Sequence, residues 1–199
     1  MRGKLILVVG PSGSGKGTLI NLVKKLLPEL AFPKSSTTRA KRGHDSDKNY
    51  NFLTRGEFQA AIDAEKFLEW AEYGGNYYGT PLSEIEPNLA DGRIILKELE
   101  VQGARQIKEK IPKKELVIIF VHAGTWKEME ARIKKRADMP DVELAKRRER
   151  YDDEIGFMSD ADYVIENPDG KAERAKKNFE KTLRAILANG YFFFLFPVP

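Results

Sequence analysis

The sequence predicts an α/β fold in which helices cover a central parallel sheet. Three observations carry this. LILVV (5–9), and the apolar runs inside RIILKELE (93–100) and ELVIIFVHA (115–123), have the length and composition of strands buried on both faces. Apolar residues at helical spacing alternate with these runs. At 199 residues the chain is long enough for one substantial core carrying inserted lobes.

Taken in order, MRGKLILVVG has the outline of a signal peptide, but its apolar run ends after five residues in a glycine-rich turn with no small-residue cleavage site. It reads as a buried strand. No stretch approaches the roughly 20 apolar residues that span a bilayer, so a soluble, cytoplasmic protein is expected, with no membrane partner. Leu19, Ile20, Val23, Leu26 and Leu27 then mark a helix. Residues 34–80 break the rhythm: they are polar, aromatic and glycine-bearing, with one helix signal, a capping box of Thr54 and Glu57 ahead of Phe58, Ala61 and Ile62. They are expected to form an inserted lobe, and the core is expected from residues 1–33, 81–124 and 157–190. Residues 125–156 open on a second capping box, Thr125 with Glu128, and carry dense Arg and Lys around a break at ADMPD (137–141). Two basic helices joined by a turn are expected there. DYVIEN (162–167) supplies a short strand, and KAERAKKNFEKTLRAILAN (171–189) a helix with a stripe of Ala172, Ala175, Phe179, Leu183 and Ile186. The apolar tail YFFFLFPVP (191–199) is read as an added strand or a plug on the core, with a self-association surface as the alternative.

Composition narrows the chemistry. Lys and Arg number 34 against 30 Asp and Glu, a mild surplus that allows anionic partners without demanding them. The absence of cysteine excludes a disulfide, a thiolate nucleophile and a zinc–sulfur site, and His44 and His122 are too few and too separated for a histidine metal cluster. Any metal is expected to be a hard cation held by oxygen.

VVGPSGSGKGT (8–18) carries the first functional motif. Gly10, Gly15 and Lys16 satisfy G-x-x-x-x-G-K between a strand and a helix, which specifies a phosphate-binding loop and a P-loop three-layer fold. Gly10, Pro11, Ser12, Gly13, Ser14, Gly15, Lys16, Gly17 and Thr18 are thus expected to bind ATP. Backbone amides can curl round a phosphate, the helix N-terminus adds its dipole, and Lys16 neutralises the outer phosphates. Gly17 stands where the motif normally has Ser or Thr, and Thr18 comes one residue late. Mg2+ is then expected to be held through the phosphates and water, with Glu98 and Glu100 at the end of the second strand supporting that water. The alternative for these two is surface charge at a strand end. GKGT favours a nucleotide kinase over a switch GTPase.

SSTTRAKR (35–42), NYNF (49–52), FLEWAEYGGNYYGT (67–80) and VQGARQ (101–106) together give the sequence a close resemblance to guanylate kinases over roughly residues 5–187. The resemblance implies that Arg39, Arg42, Tyr50 and Tyr78 hold the phosphate of an acceptor nucleotide, GMP, to which forked arginine donors and tyrosine hydroxyls are suited. It also implies that Ser35, Glu69, Thr80 and Glu100 surround guanine. A carboxylate accepts from ring N1–H and the exocyclic amine, and a hydroxyl donates to O6; adenine would leave these groups facing the wrong partners. Lid arginines are implied at Arg132, Arg136 and Arg147, with ATP held by Arg132 and Arg136 and catalysis assisted by Lys16, Arg39, Arg136 and Arg147. Phe58, Phe67 and Trp70 are read as lobe core, and Tyr77 as packing.

The implied reaction is direct in-line transfer of the ATP γ-phosphoryl group to GMP, with dGMP as a further acceptor, in purine nucleotide metabolism. Glu98 and Glu100 stand where the family has aspartates, the segment between Arg42 and Tyr50 is one residue short with His44 or Asp45 at a usual Glu position, and Ala137 and Pro168 replace a common Gly and Asp. Two rivals share the resemblance. An interaction scaffold of this type typically lacks the loop lysine, and a ribosyl bisphosphate kinase does not account for Glu69, Thr80 and TTRAKR. A nucleic-acid patch is the alternative for the basic cluster and is not favoured. Monomer and homodimer are both left open.

Overall fold

The computed structural model describes residues 3–41, 49–136 and 140–195; the side chains of residues 136 and 189–195 lie outside that description. The first half runs β1 (Lys4–Val9), α1 (Lys16–Leu26), β2 (Ser35–Thr37), β3 (Tyr50–Phe52), α2 (Arg55–Asp63), β4 (Phe67–Tyr73), β5 (Asn76–Pro81) and α3 (Leu82–Ala90). The second runs β6 (Ile94–Glu98), α4 (Val101–Lys110), β7 (Leu116–His122), α5 (Trp126–Arg136), α6 (Asp141–Gly156), β8 (Tyr163–Glu166) and α7 (Ala172–Leu195).

The expected parallel sheet has four strands in the order β6-β1-β7-β8. Leu5 to Val9 of β1 are each 0% exposed, the condition under which a strand needs no polar alternation. A second sheet, β3-β2-β5-β4, arises from residues 35–81, where the sequence shows only a helix signal. Its β2 and β3 are three residues each, β3 half-buried and β2 buried at Ser36 and Thr37, too short for a period to register. β2 runs parallel to β3 and antiparallel to β5, and β5 runs antiparallel to β4. By contact density the chain divides into two units: one joins the start of the chain through Ile6 to Glu29–Leu116, the other joins Leu7–Pro28 to the chain from Val117 onward.

In the first unit, Thr54 and Glu57 form the complete capping box of α2, which seats Phe58 at 0% exposure. Phe58 stacks on Phe67 with ring centroids 4.4 Å apart, and Tyr77 packs at 5.3 Å. Trp70 departs from its expected core position: it is 37% exposed and meets Tyr77 edge-on at the margin of this cluster.

In the second unit, α7 buries Ala175, Phe179, Leu183, Ile186 and Leu187, whereas Ala172 is exposed in the first turn. Leu26 is also exposed, at the last turn of α1. The tail read as a strand or plug instead continues α7 to Leu195, and residues 196–199 lie outside the described residues. α5 and α6 are the two expected basic helices; Glu128 accepts from the Thr125 backbone N–H at 2.7 Å and from its hydroxyl at 2.9 Å. Part of the ADMPD break, with Ala137, is outside the described residues. Among the described residues no helix is long and apolar enough to cross a membrane.

Phe58→Ala is expected to lower unfolding free energy by about 3–5 kcal/mol and Thr54→Ala by about 1 kcal/mol. Urea unfolding of the full chain checks this order; a larger loss at Thr54 contradicts the packing described.

Candidate active site

Two groups of chemically capable side chains lie in the two units. In the second unit, the loop between β1 and α1 passes so close to its neighbours that two glycines are required. A Cβ on Gly10 (φ 142°) would lie 2.5 Å from the Val121 carbonyl oxygen, and one on Gly15 (φ 95°) would lie 2.5 Å from Asn167 Nδ2. Asn167 is 8% exposed; its Nδ2 donates to the Ser14 carbonyl at 2.7 Å and its backbone N–H to the His122 carbonyl at 2.7 Å. It ties the loop to the end of β7. The sequence reading saw only a strand end at this asparagine.

Gly15 is the N-cap of α1 and brings no side-chain cap, which leaves the first turn suited to an anion. Lys16 is 5% exposed and donates to the carbonyls of Gly10 at 2.6 Å and Pro11 at 3.2 Å. Arg147 on α6 donates to the Ser12 hydroxyl and, at 3.2 Å, to Glu143. Arg132 on α5 donates to Asp169 and to the Asn167 carbonyl, each at 2.7 Å. Arg136 ends α5, with its side chain outside the description. Gly17 lies within α1, and Thr18 is exposed there. The result is a glycine turn with an ammonium and two guanidinium groups round a helix N-terminus, a combination that binds polyanions.

In the first unit, residues from separate motifs meet on adjacent strands. Ser35 pairs in register with Tyr50, Thr37 with Tyr78, and Glu69 with Thr80. The Arg39 guanidinium lies 5.6 Å from the Tyr50 ring centre and donates to the Ala40 carbonyl at 2.9 Å. Tyr78 is half-buried and meets Tyr73 edge-on. Arg42, His44 and Asp45 are outside the described residues.

Glu69 is 4% exposed and Thr80 0%, and the Thr80 hydroxyl donates to Glu69 Oε1 at 2.6 Å. Burial raises the Glu69 pKa above the usual carboxylate value; the Thr80 bond and the charges of Lys97 and Lys110 oppose that rise. Gly103 of α4 makes room for this carboxylate, since a Cβ there would lie 2.6 Å from Glu69 Oε2. Lys97, absent from the sequence reading, is 4% exposed on β6 and donates to Ser35 Oγ at 2.7 Å and to the Pro33 carbonyl at 3.2 Å.

Glu98 ends β6, but Glu100 does not extend the strand as expected. It is the N-cap of α4, because its carbonyl is taken by the Ala104 N–H at 3.1 Å. Both glutamates are exposed. Among the described residues no group of three or more His, Asp or Glu could hold a metal ion.

The raised Glu69 pKa has a stability consequence. Below the carboxylate range Glu69 is protonated whether the chain is folded or not; as pH rises through its folded pKa the buried group must ionise, and stability is lost. Glu69→Gln keeps an acceptor for Thr80. It is expected to melt above the parent at pH 7.5, with the gap closing below about pH 4. A gap that widens on acidification in thermal scans rejects this account.

The guanylate kinase family model matches residues 2–186. A guanylate kinase of Rubrobacter xylanophilus is 40% identical over 190 residues, covering 95% of this chain and 97% of that protein. One of Synechocystis sp. is 41% identical over 170 residues, covering 85% of this chain and 88% of its own length. The crystal structure of guanylate kinase from Anaplasma phagocytophilum aligns with a TM-score of 0.71 at 30% identity, over 92% of this chain and 86% of that one. A loop, a buried carboxylate and a matching sequence over nearly its whole length agree: the chain belongs to the guanylate kinase family.

Proposed function

We propose that the chain carries its family's reaction, ATP-dependent phosphorylation of GMP, through the two groups of residues described above. The carrying observation is the buried Glu69–Thr80 pair, a carboxylate and hydroxyl 2.6 Å apart on neighbouring strands. An ionised carboxylate accepts only, which suits the N1–H and amine of guanine and opposes the N1 lone pair of adenine. Ser35, Glu69, Thr80 and Glu100 are assigned to the base, and Arg39, Arg42, Tyr50 and Tyr78 to its phosphate. None of these is assigned to the ribose 2′-hydroxyl, so dGMP is a further expected acceptor.

Residues 10–18, with Lys16, Arg132, Arg136 and Arg147, are assigned to ATP. Residues 34–80 are proposed as the acceptor lobe and 125–156 as the lid, whose closure would exclude water from the reaction. Mg2+ is proposed to enter with ATP and neutralise its phosphates, with Glu98 and Glu100 as supports for its water. An acceptor oxygen forms a new bond to the γ-phosphorus as the bond to the β-phosphate oxygen breaks, and ADP leaves. No protein base is needed, because a phosphate monoester with a second pKa of about 6 is already largely dianionic at neutral pH. These nucleotides are substrates of central metabolism, and the cytoplasm is the proposed compartment.

A coupled ADP-release assay with GMP, dGMP, AMP, UMP and ribose 1,5-bisphosphate tests the assignment. GMP and dGMP are expected to turn over, with AMP and UMP disfavoured by about 100-fold or more in kcat/KM. Lys16→Met is expected to reduce kcat by about 100-fold or more through lost charge stabilisation. A folded sample without GMP-dependent turnover overturns the proposal.

A further inference from the structure

Hydrogen accounting in the first unit raises a question that Glu69 and Thr80 do not answer. A hydroxyl has one hydrogen to give. Thr80 gives its hydrogen to Glu69 Oε1, so toward a bound base it offers lone pairs only. A lone pair suits the 6-amino group of adenine better than the 6-oxo group of guanine. Selection of guanine at that position therefore needs a hydrogen from elsewhere.

Ser35 is placed to supply it. It lies on β2, half-buried, and its Oγ accepts from Lys97 Nζ at 2.7 Å. Lys97 is held in turn by the Pro33 carbonyl at 3.2 Å and by its own burial at 4% exposure one residue before the end of β6. An ammonium can only donate. The Ser35 oxygen thus has a lone pair occupied by a charged donor, and its hydrogen is directed away from Lys97. A charge-assisted bond of this kind is stronger than a neutral one, so it fixes the orientation of the hydroxyl before any ligand arrives.

We infer that Lys97 is a positioning residue that determines base specificity: by donating to Ser35 Oγ it commits the Ser35 hydroxyl hydrogen to the 6-oxo group of the acceptor purine. The inference rests on the proposal that the acceptor is GMP. In this role Lys97 acts on the base through Ser35. Because its charge also opposes the rise of the Glu69 pKa, parent and variants are compared at alkaline pH, where Glu69 is ionised in each. Removal of Lys97 should appear in KM for the acceptor and in the preference for GMP over AMP, while kcat is retained.

The test is steady-state kinetics of the full chain with GMP, IMP and AMP for the parent, Lys97→Met, Ser35→Ala and the double variant. Lys97→Met keeps side-chain length without the ammonium. It is expected to raise KM for GMP about ten-fold with kcat within about two-fold, the size of one lost charge-assisted bond. IMP retains the 6-oxo group and lacks the 2-amine, so its KM should rise by the same factor. Ser35→Ala should match Lys97→Met, and the double variant should be no worse than Ser35→Ala alone. A merely structural lysine would add its penalty in either background. An unchanged KM in Lys97→Met, or a Lys97→Met penalty that persists in full beside Ser35→Ala, overturns the inference. If Lys97→Met melts below the assay temperature, Ser35→Ala decides: an unshifted GMP-over-AMP preference sinks the idea. Failure of the parent to use GMP would instead sink the proposed function, so the two failures are distinct.

Discussion

A carboxylate that is 4% exposed must find its donors and compensating charge within the protein, and Glu69 imposes that requirement on the unit around it. An ionised group left unpaired in the interior costs several kcal/mol, whereas one ordinary hydrogen bond returns about 1 kcal/mol. No single contact can offset the burial. The register of β4 and β5 brings Thr80 opposite Glu69, α4 packs on β4 with a glycine at the approach, and Lys97 and Lys110 lend positive charge. Lys110 is anchored close by, donating to the Leu68 carbonyl at 2.6 Å. Shifting the β4–β5 register by one residue would move Glu69 to the face where Trp70 now lies and undo all of these arrangements together.

The loop of the second unit meets a complementary constraint. An anion site needs the negative ends of its peptide dipoles turned toward cations or donors, so that they do not repel the ligand. The carbonyls of Gly10 and Pro11 accept from Lys16, the Pro11 carbonyl also accepts from the Ser14 N–H, and the Ser14 carbonyl accepts from Asn167. Asn167 is itself fixed through its backbone to β7, and its carbonyl receives Arg132. One buried asparagine, through its side-chain amide and both of its backbone groups, therefore links the loop, a strand and an arginine of α5. The close approaches at Gly10 and Gly15 follow from this arrangement, since a side chain at either would push the loop off its supports.

What was legible in the sequence follows from the range of the forces involved. Continuous apolar runs made β1, β6 and β7 readable, and the capping boxes at Thr54 and Thr125 located two helix starts, because each signal lies within a few residues. β2 and β3 left no such trace; they are strands only because β5 pairs with β2 across a long stretch of chain. Glu69 could be singled out by resemblance, but its burial depends on Gly103, far along the sequence. Lys97 and Asn167 were missed because a polar residue beside an apolar run reads as a solvent-facing position. In Lys97 the useful signal was present: a lysine follows three apolar residues in a strand whose neighbours are buried on both faces. Such a strand has no solvent face, so the lysine had to be partnered inside.

Buried polar groups thus serve two ends with the same bonds. Within the folded unit, the Thr80 hydrogen satisfies Glu69 and the Lys97 ammonium satisfies Ser35 and Pro33. Those bonds also fix which atoms remain as donors and which as acceptors. A purine whose edge complements that pattern can bind without reorienting it, so its binding energy is not reduced by rearrangement. One with the opposite pattern must either leave buried groups unpaired or break bonds that hold the carboxylate in place. The second route is the more costly, because breaking the Thr80 bond again exposes the full desolvation cost of Glu69. On the proposed assignment of these residues to the base, discrimination between purines is paid for largely by the fold, before either base arrives.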